Sequence, residues 1–171
     1  VYGKDGGWSD FNLGNLTAAQ GFRIDYATGG SGGVGGLMAS AGDMNGDGIK
    51  DLLISADPIA TNRSGAVFVV YGKDGSRSNI DLGSLTPAQG FRIDGALPGD
   101  VLGFIASAGD FNGDGYDDLV VSSPVIDANG RTDSGSTFLI FGREGGLSNI
   151  DLADFDATMG IRFDGAAVGD W

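Results

Sequence analysis

Short apolar runs separated by glycine- and aspartate-rich breaks recur along the whole chain. Between residues 103 and 165 four of them follow one another: GFIASAGD (Gly103–Asp110), DDLVVSSP (Asp117–Pro124), STFLIFG (Ser136–Gly142) and GIRFDG (Gly160–Gly165). Each is rich in Val, Ile, Leu or Phe and is bounded by Gly, Pro, Asn or Asp, which is the make-up of strands joined by turns. None is long enough, or periodic enough at 3.6 residues, to favour a helix. The stretch from Leu82 to Gly90 leaves room for a single helical turn. The pattern predicts an all-β protein.

The same pattern is written more than once. VYGKDG at Val1–Gly6 returns at Val70–Gly75, and GFRID at Gly21–Asp25 returns at Gly90–Asp94, both 69 residues later. A third version, GIRFD, begins at Gly160, and ASAGDMNGDG (Ala39–Gly48) is matched by ASAGDFNGDG (Ala106–Gly115). Four strands per unit, repeated in tandem at this length, fit the blades of a β-propeller better than a sandwich. The units parse as a partial blade at 1–35 (the end of a third strand and a fourth strand), complete four-stranded antiparallel blades at 36–102 and 103–165, and the start of another at 166–171. That is an incomplete propeller of about two and a half blades, whereas closed rings need about four to eight. Open strand edges invite pairing, so the expected neighbours are the remaining blades of a longer chain, or other copies joined by strand pairing.

Composition narrows the chemistry. The chain has 171 residues, 33 of them glycine, and a formal charge of −13, with Glu144 as its only glutamate. Aspartate favours turns, caps and cation-binding loops, whereas glutamate favours helix surfaces. So acidic a chain has no means of displacing the counterions of a nucleic acid, and that partner is excluded. It contains neither cysteine nor histidine, which removes disulfides, thiolate and imidazole zinc sites, cysteine nucleophiles and histidine triads. No apolar run approaches the ~18 residues of a membrane-spanning helix.

Two acidic segments carry the strongest chemical signal. Residues 43–51 read Asp43-x-Asn45-x-Asp47-Gly48-Ile49-x-Asp51, and residues 110–118 read Asp110-x-Asn112-x-Asp114-Gly115-Tyr116-x-Asp118. Oxygen-bearing side chains on alternate positions of a tightly curled backbone suit calcium, which takes ~6–8 oxygen ligands. Crowded aspartates also repel one another without a cation, a reason for stability linked to metal. The plainer reading is a polar hairpin turn, since Asn-Gly and Asp-Gly favour turns unaided. Two such loops at equivalent repeat positions, each with an Asp beyond the turn, favour metal. An EF-hand is excluded because its twelfth position, a bidentate Glu, falls here on Ile54 and Val121. The segments that follow, Leu52–Ser55 and Leu119–Ser122, read as strands, which also separates them from dockerin-type loops that run into a helix.

Leu102-Gly103, the Asp110–Asp118 loop and Ser122-Ser123-Pro124, with Gly35-Gly36 and Ala56-Asp57-Pro58 in the earlier unit, together resemble the FG-GAP repeat of integrin α-subunit propellers, in its bacterial tandem form. The two short slots depart from the family's spelling; the acidic loop fits it closely. The resemblance implies two calcium sites with ligands at loop positions one, three, five, seven and nine, the seventh through its carbonyl. Those residues are Asp43, Asn45, Asp47, Ile49 and Asp51, and Asp110, Asn112, Asp114, Tyr116 and Asp118. It further implies a structural role for the calcium and an extracellular or cell-surface setting, as an adhesion or ligand-binding module.

Catalysis is not expected. The most clustered aspartates repeat from unit to unit, which suits a scaffold better than a unique active site, and SGGVGG (Ser31–Gly36) lacks the lysine and helix of a phosphate loop. The alternatives are a non-catalytic propeller part of a secreted hydrolase and a purely architectural surface repeat. Strand parity puts the calcium loops on one face of the disc and the more variable connections 26–33, 57–65, 95–100 and 124–135 on the other. Variable loops on a rigid scaffold commonly carry recognition, which makes Tyr26, Arg63, Asn129 and Arg131 candidates for contacting a protein or glycan ligand. Asn15-Leu16-Thr17 and Asn62-Arg63-Ser64 match glycosylation acceptors.

Overall fold

In a computed structural model, which describes residues 1–3, 12–26, 34–56, 64–75 and 77–170, the apolar runs form strands stacked as blades. The first complete sheet contains β2 (Val34–Gly42), β3 (Asp51–Ala56), β4 (Ala66–Val70) and β6 (Gly90–Asp94), each antiparallel to the next. The second contains β7 (Phe104–Gly109), β8 (Asp118–Ser123), β9 (Ser136–Ile140) and β11 (Gly160–Asp164), with the same order and sense. An earlier strand, β1 (Ile24–Asp25), stands where the fourth strand of a preceding blade would be. The architecture is therefore all-β, built of four-stranded antiparallel blades. The predicted strand ends overshoot by a residue or two, because the terminal Gly, Asp and Pro lie in turns.

The middle strand β4, Ala-Val-Phe-Val-Val, shows why the apolar runs are continuous. Side chains alternate between the faces of a sheet, so a strand buried on one face alternates polar and apolar. In β4 every residue is buried. Val67 and Val69 join a core with Phe91, Ile93, Leu119, Val121, Phe138 and Ile140, which fills the space between the two complete blades. Ala66, Phe68 and Val70 join Ile54, Ile80 and Leu82 in a second core on the opposite face. Blades stacked on both sides bury both faces, and a run without alternation is the outcome.

The long connection between third and fourth strands, read from sequence as loop with one helical turn, contains a fifth strand. β5 (Ile80–Asp81) pairs parallel with β1, and β10 (Ile150–Asp151) pairs parallel with β6. Each blade thus lays a short strand along the outer edge of the blade before it. Asn79 Oδ1 accepts the Arg23 N–H at 2.8 Å, and Asn149 Oδ1 accepts the Arg92 N–H at 3.0 Å. A short 3-10 turn follows each clasp, at Leu82–Ser84 and Leu152–Asp154, where the Asp81 and Asp151 carboxylates cap the N–H groups of Gly83 and Ala153. The Tyr71 hydroxyl fixes the second clasp by accepting the Leu147 N–H at 2.7 Å.

Each turn drops a leucine into the groove between blades. Leu82 and Leu152 are 3% and 1% exposed, while the equivalent Leu13, in the turn Leu13–Asn15, is 67% exposed. Truncating a fully buried leucine costs about 2–5 kcal/mol, and truncating an exposed one is usually within about 0.5 kcal/mol of neutral. Leu82→Ala and Leu152→Ala are therefore expected to lower the urea midpoint markedly, with Leu13→Ala close to wild type. Equal effects at all three positions would contradict the clasp.

Candidate metal loops

Both acidic segments connect the first and second strands of a complete blade, β2 to β3 and β7 to β8, and fold alike. The Asp43 carboxylate reaches forward into its own loop: Oδ1 accepts the N–H groups of Gly46 (2.8 Å) and Asp47 (3.0 Å), and Oδ2 that of Gly48 (2.8 Å). Asp110 makes the same three bonds to Gly113, Asp114 and Gly115 at 2.8, 2.9 and 3.0 Å. Asn45 Oδ1 accepts the Asp47 N–H and Asp47 Oδ1 the Ile49 N–H, and Asn112 and Asp114 repeat both bonds. Such local side chain-to-backbone bonds are why Asp and Asn suit turns. They draw the oxygens of positions one, three and five around one curled segment.

The ninth residue differs. Asp51 and Asp118 open strands β3 and β8, and their side chains turn inward, 3% and 0% exposed. Asp51 Oδ2 accepts the Met44 N–H at 3.0 Å, inside the loop, while Oδ1 accepts the Gly72 N–H at 2.8 Å, just past β4. Asp118 takes the N–H groups of Phe111 and Gly142, both at 2.9 Å. One carboxylate thereby ties the loop, the second strand and the end of the third. Burial pushes the Asp51 carboxyl up to about 6, against the lowering pull of its bonds to Gly72 and Met44. Asp118 is raised for the same reason.

The donors are hard oxygens throughout, the set calcium prefers. Each carboxylate oxygen that accepts one N–H keeps a second lone pair for a cation. Among the described residues no three acidic side chains already converge on one point. The loop carboxylates are instead held by backbone N–H groups, and the Asn45 and Asn112 amides donate to Asp47 and Asp114 at 3.0 and 2.8 Å. The donor chemistry fits a calcium ion.

This geometry has relatives. The sequence pattern of the FG-GAP repeat matches residues 102–140, which contain the second acidic loop and strands β7 to β9. The chain belongs to the FG-GAP repeat family. It is 34% identical over 116 residues, 66% of this chain, to phosphatidylinositol-glycan-specific phospholipase D of Rattus norvegicus. It is 30% identical over 125 residues, 71% of the chain, to integrin alpha-PS5 of Drosophila melanogaster, and 31% over 113 residues, 66% of the chain, to integrin alpha-4 of Xenopus laevis. The aligned parts make up 14%, 11% and 10% of those proteins. This FG-GAP chain therefore spans only a small part of each.

The residues singled out for ligand contact fall in different settings. Tyr26 packs edge-on against the Phe68 ring, with centroids 5.0 Å apart. Arg63 lies outside the described residues. The loop between β8 and β9 is held by its own contacts: Asn129 donates to Asp164 Oδ2 at 2.9 Å, and Arg131 donates twice to the Gly165 carbonyl, at 2.8 and 3.1 Å. Both side chains thus brace the loop against the end of β11. Sequence reasoning had no signal for this, because the partners lie 34 and 35 residues away.

Two predictions rest on the buried carboxylates. Asp118→Asn leaves a single side-chain oxygen for two N–H groups, and an unpaired buried N–H costs about 1–3 kcal/mol. Chemical denaturation in EDTA should show that loss; a stability equal to wild type would contradict the stitching role. The second concerns pH in cation-free solution. The folded-state value for Asp51 lies above its unfolded 3.8, so the native state binds the extra proton. Its contribution is full below 3.8 and is lost as pH rises through about 6. Asp51→Asn should flatten that part of the stability–pH curve, and an unchanged curve would contradict the burial argument.

Proposed function

We propose that this chain is a calcium-stabilised propeller segment of an extracellular or cell-surface protein, acting as an adhesion or ligand-binding module and not itself catalytic. The observation that carries the reading is the doubling of the loop. Two segments 67 residues apart share Asp, Asn, Asp and Asp at positions one, three, five and nine, and each repeats the other's bonds within the loop down to the Asn-to-Asp amide contact. A polar turn needs only the first few of these residues. The ninth-position Asp, buried and close to the others, is a liability unless a cation offsets its charge.

On this reading Asp43, Asn45, Asp47, Asp51 and the Ile49 carbonyl hold one ion, and Asp110, Asn112, Asp114, Asp118 and the Tyr116 carbonyl hold the other. The role is structural: extracellular modules bind calcium at about 10⁻⁴–10⁻³ M, where the ion is always available. The connections at the far ends of the sheets from these loops, including 124–135, are where a protein or glycan would be met, on a scaffold the cations stiffen. The integrin relatives support the adhesion reading. The phospholipase relative supports a second one, in which the propeller is a non-catalytic part of a secreted hydrolase.

The remaining partners are further blades of a longer chain, or other copies joined by strand pairing. Phe91 and Ile93 on the first blade are covered by the second, 1% and 0% exposed, while their counterparts Ile161 and Phe163 are 40% and 51% exposed. Among the described residues no helix is long and apolar enough to cross a membrane.

Thermal unfolding in calcium, magnesium and EDTA tests the metal reading. At about 10 mM calcium each site is roughly 10- to 100-fold above its dissociation constant, which adds about 1.4–2.7 kcal/mol per site and raises Tm by roughly 5 °C or more. Magnesium should do much less, and Asp43→Ala combined with Asp110→Ala should abolish the calcium effect. Identical melting in all three solutions would reduce the loops to ordinary turns.

A further inference from the structure

The first acidic loop is held from outside as well as from within. The second blade grips it along three consecutive residues, Asp43 to Asn45. Asp117 Oδ2 accepts the Asp43 N–H at 2.7 Å, and the Asp117 N–H donates to the Asp43 carbonyl at 3.0 Å. The N–H groups of Arg143 and Gly145 donate to the carbonyls of Met44 and Asn45 at 2.9 and 3.0 Å. The approach is so close that a Cβ at Gly42 would overlap the Asp117 carboxylate, and one at Gly46 would overlap the Tyr116 ring. Met44, between them, is fully buried.

Position eight of the second loop, where Asp117 sits, is Lys50 in the first, so the two repeats differ there.

We infer that Asp117 is a positioning residue that couples the two cation loops, holding Asp43 of the first in place for its ion. The inference rests on the calcium reading above. Asp117 sits between two ligand residues of the second loop, Tyr116 and Asp118, and its side chain reaches across to the first ligand residue of the other. It stands outside the ligand set of both loops and acts by fixing Asp43. A loop whose backbone is already held loses less freedom on binding, and groups that orient metal ligands commonly contribute about 10- to 100-fold in affinity. The coupling is reciprocal: an ion in the first loop must tighten the packing of the second blade by the same factor.

Calorimetric titration of calcium into the intact chain tests this, with wild type, Asp117→Ala and Asp117→Asn compared and folding checked by circular dichroism. Asp43→Ala and Asp110→Ala, each removing one site, assign the two affinities. Asp117→Ala should weaken the first-loop site by about tenfold or more and move the second-loop site by less than about twofold. Asp117→Asn keeps an oxygen for the Asp43 N–H and should recover most of the loss. Equal weakening of both sites, or Asp117→Asn behaving like Asp117→Ala (charge alone), would overturn the coupling while leaving the calcium reading intact. A wild type that binds no calcium would overturn both. If Asp117→Ala does not fold, amide exchange of wild type in EDTA decides the metal-independent part. Strong protection of the Asp43 N–H supports the bracing, and exchange at the free-amide rate overturns it.

Discussion

The buried carboxylate at the end of each acidic loop is the constraint on which the rest depends. Asp51 and Asp118 are the one place in each blade where the first hairpin, the second strand and the exit from the third strand meet. Without that group the N–H of the loop's second residue and the N–H beyond the third strand would both be buried and unpaired. With it, a charge sits in the interior, raised by burial and compensated only by N–H dipoles. On the reading proposed above, a cation beside it completes the arrangement. The loop is thus part of the blade's packing, continuous with it through the aspartate.

Stacking extends the same logic between blades. The first blade is buried on both faces, and its strands carry unbroken apolar runs for that reason. Parallel clasps, buried leucines and a tyrosine hydroxyl join each blade to the one before it. The grip on the first acidic loop belongs to this set of contacts. Stability in such a stack is largely a sum of unit and neighbour terms.

How much of this could be read from the chain follows the range of each interaction. The strands of the second blade, from Gly103 to Gly165, and their antiparallel order were legible because composition and turn residues are local. The repetition of the acidic loops was legible because the offset is written in the residues. The fifth strands were not: Ile80-Asp81 and Ile150-Asp151 are two residues each and gain their partners only from another blade. That Arg131 and Asn129 hold the end of β11 was not legible, because those partners are remote in sequence. The contact of Asp117 with Asp43 was not legible either: it joins residues 74 apart and exists only once the blades are stacked.

Crystals grown with calcium, with diffraction recorded at a long wavelength where calcium scatters anomalously, would test the central claim most directly. The account predicts two peaks, one in each loop, each about 2.3–2.6 Å from oxygens of positions one, three, five, seven and nine, with Asp51 and Asp118 still accepting the N–H groups of Gly72 and Gly142. Folded blades with both loops in the conformation described and no peak in either, at calcium well above the millimolar range, would contradict it.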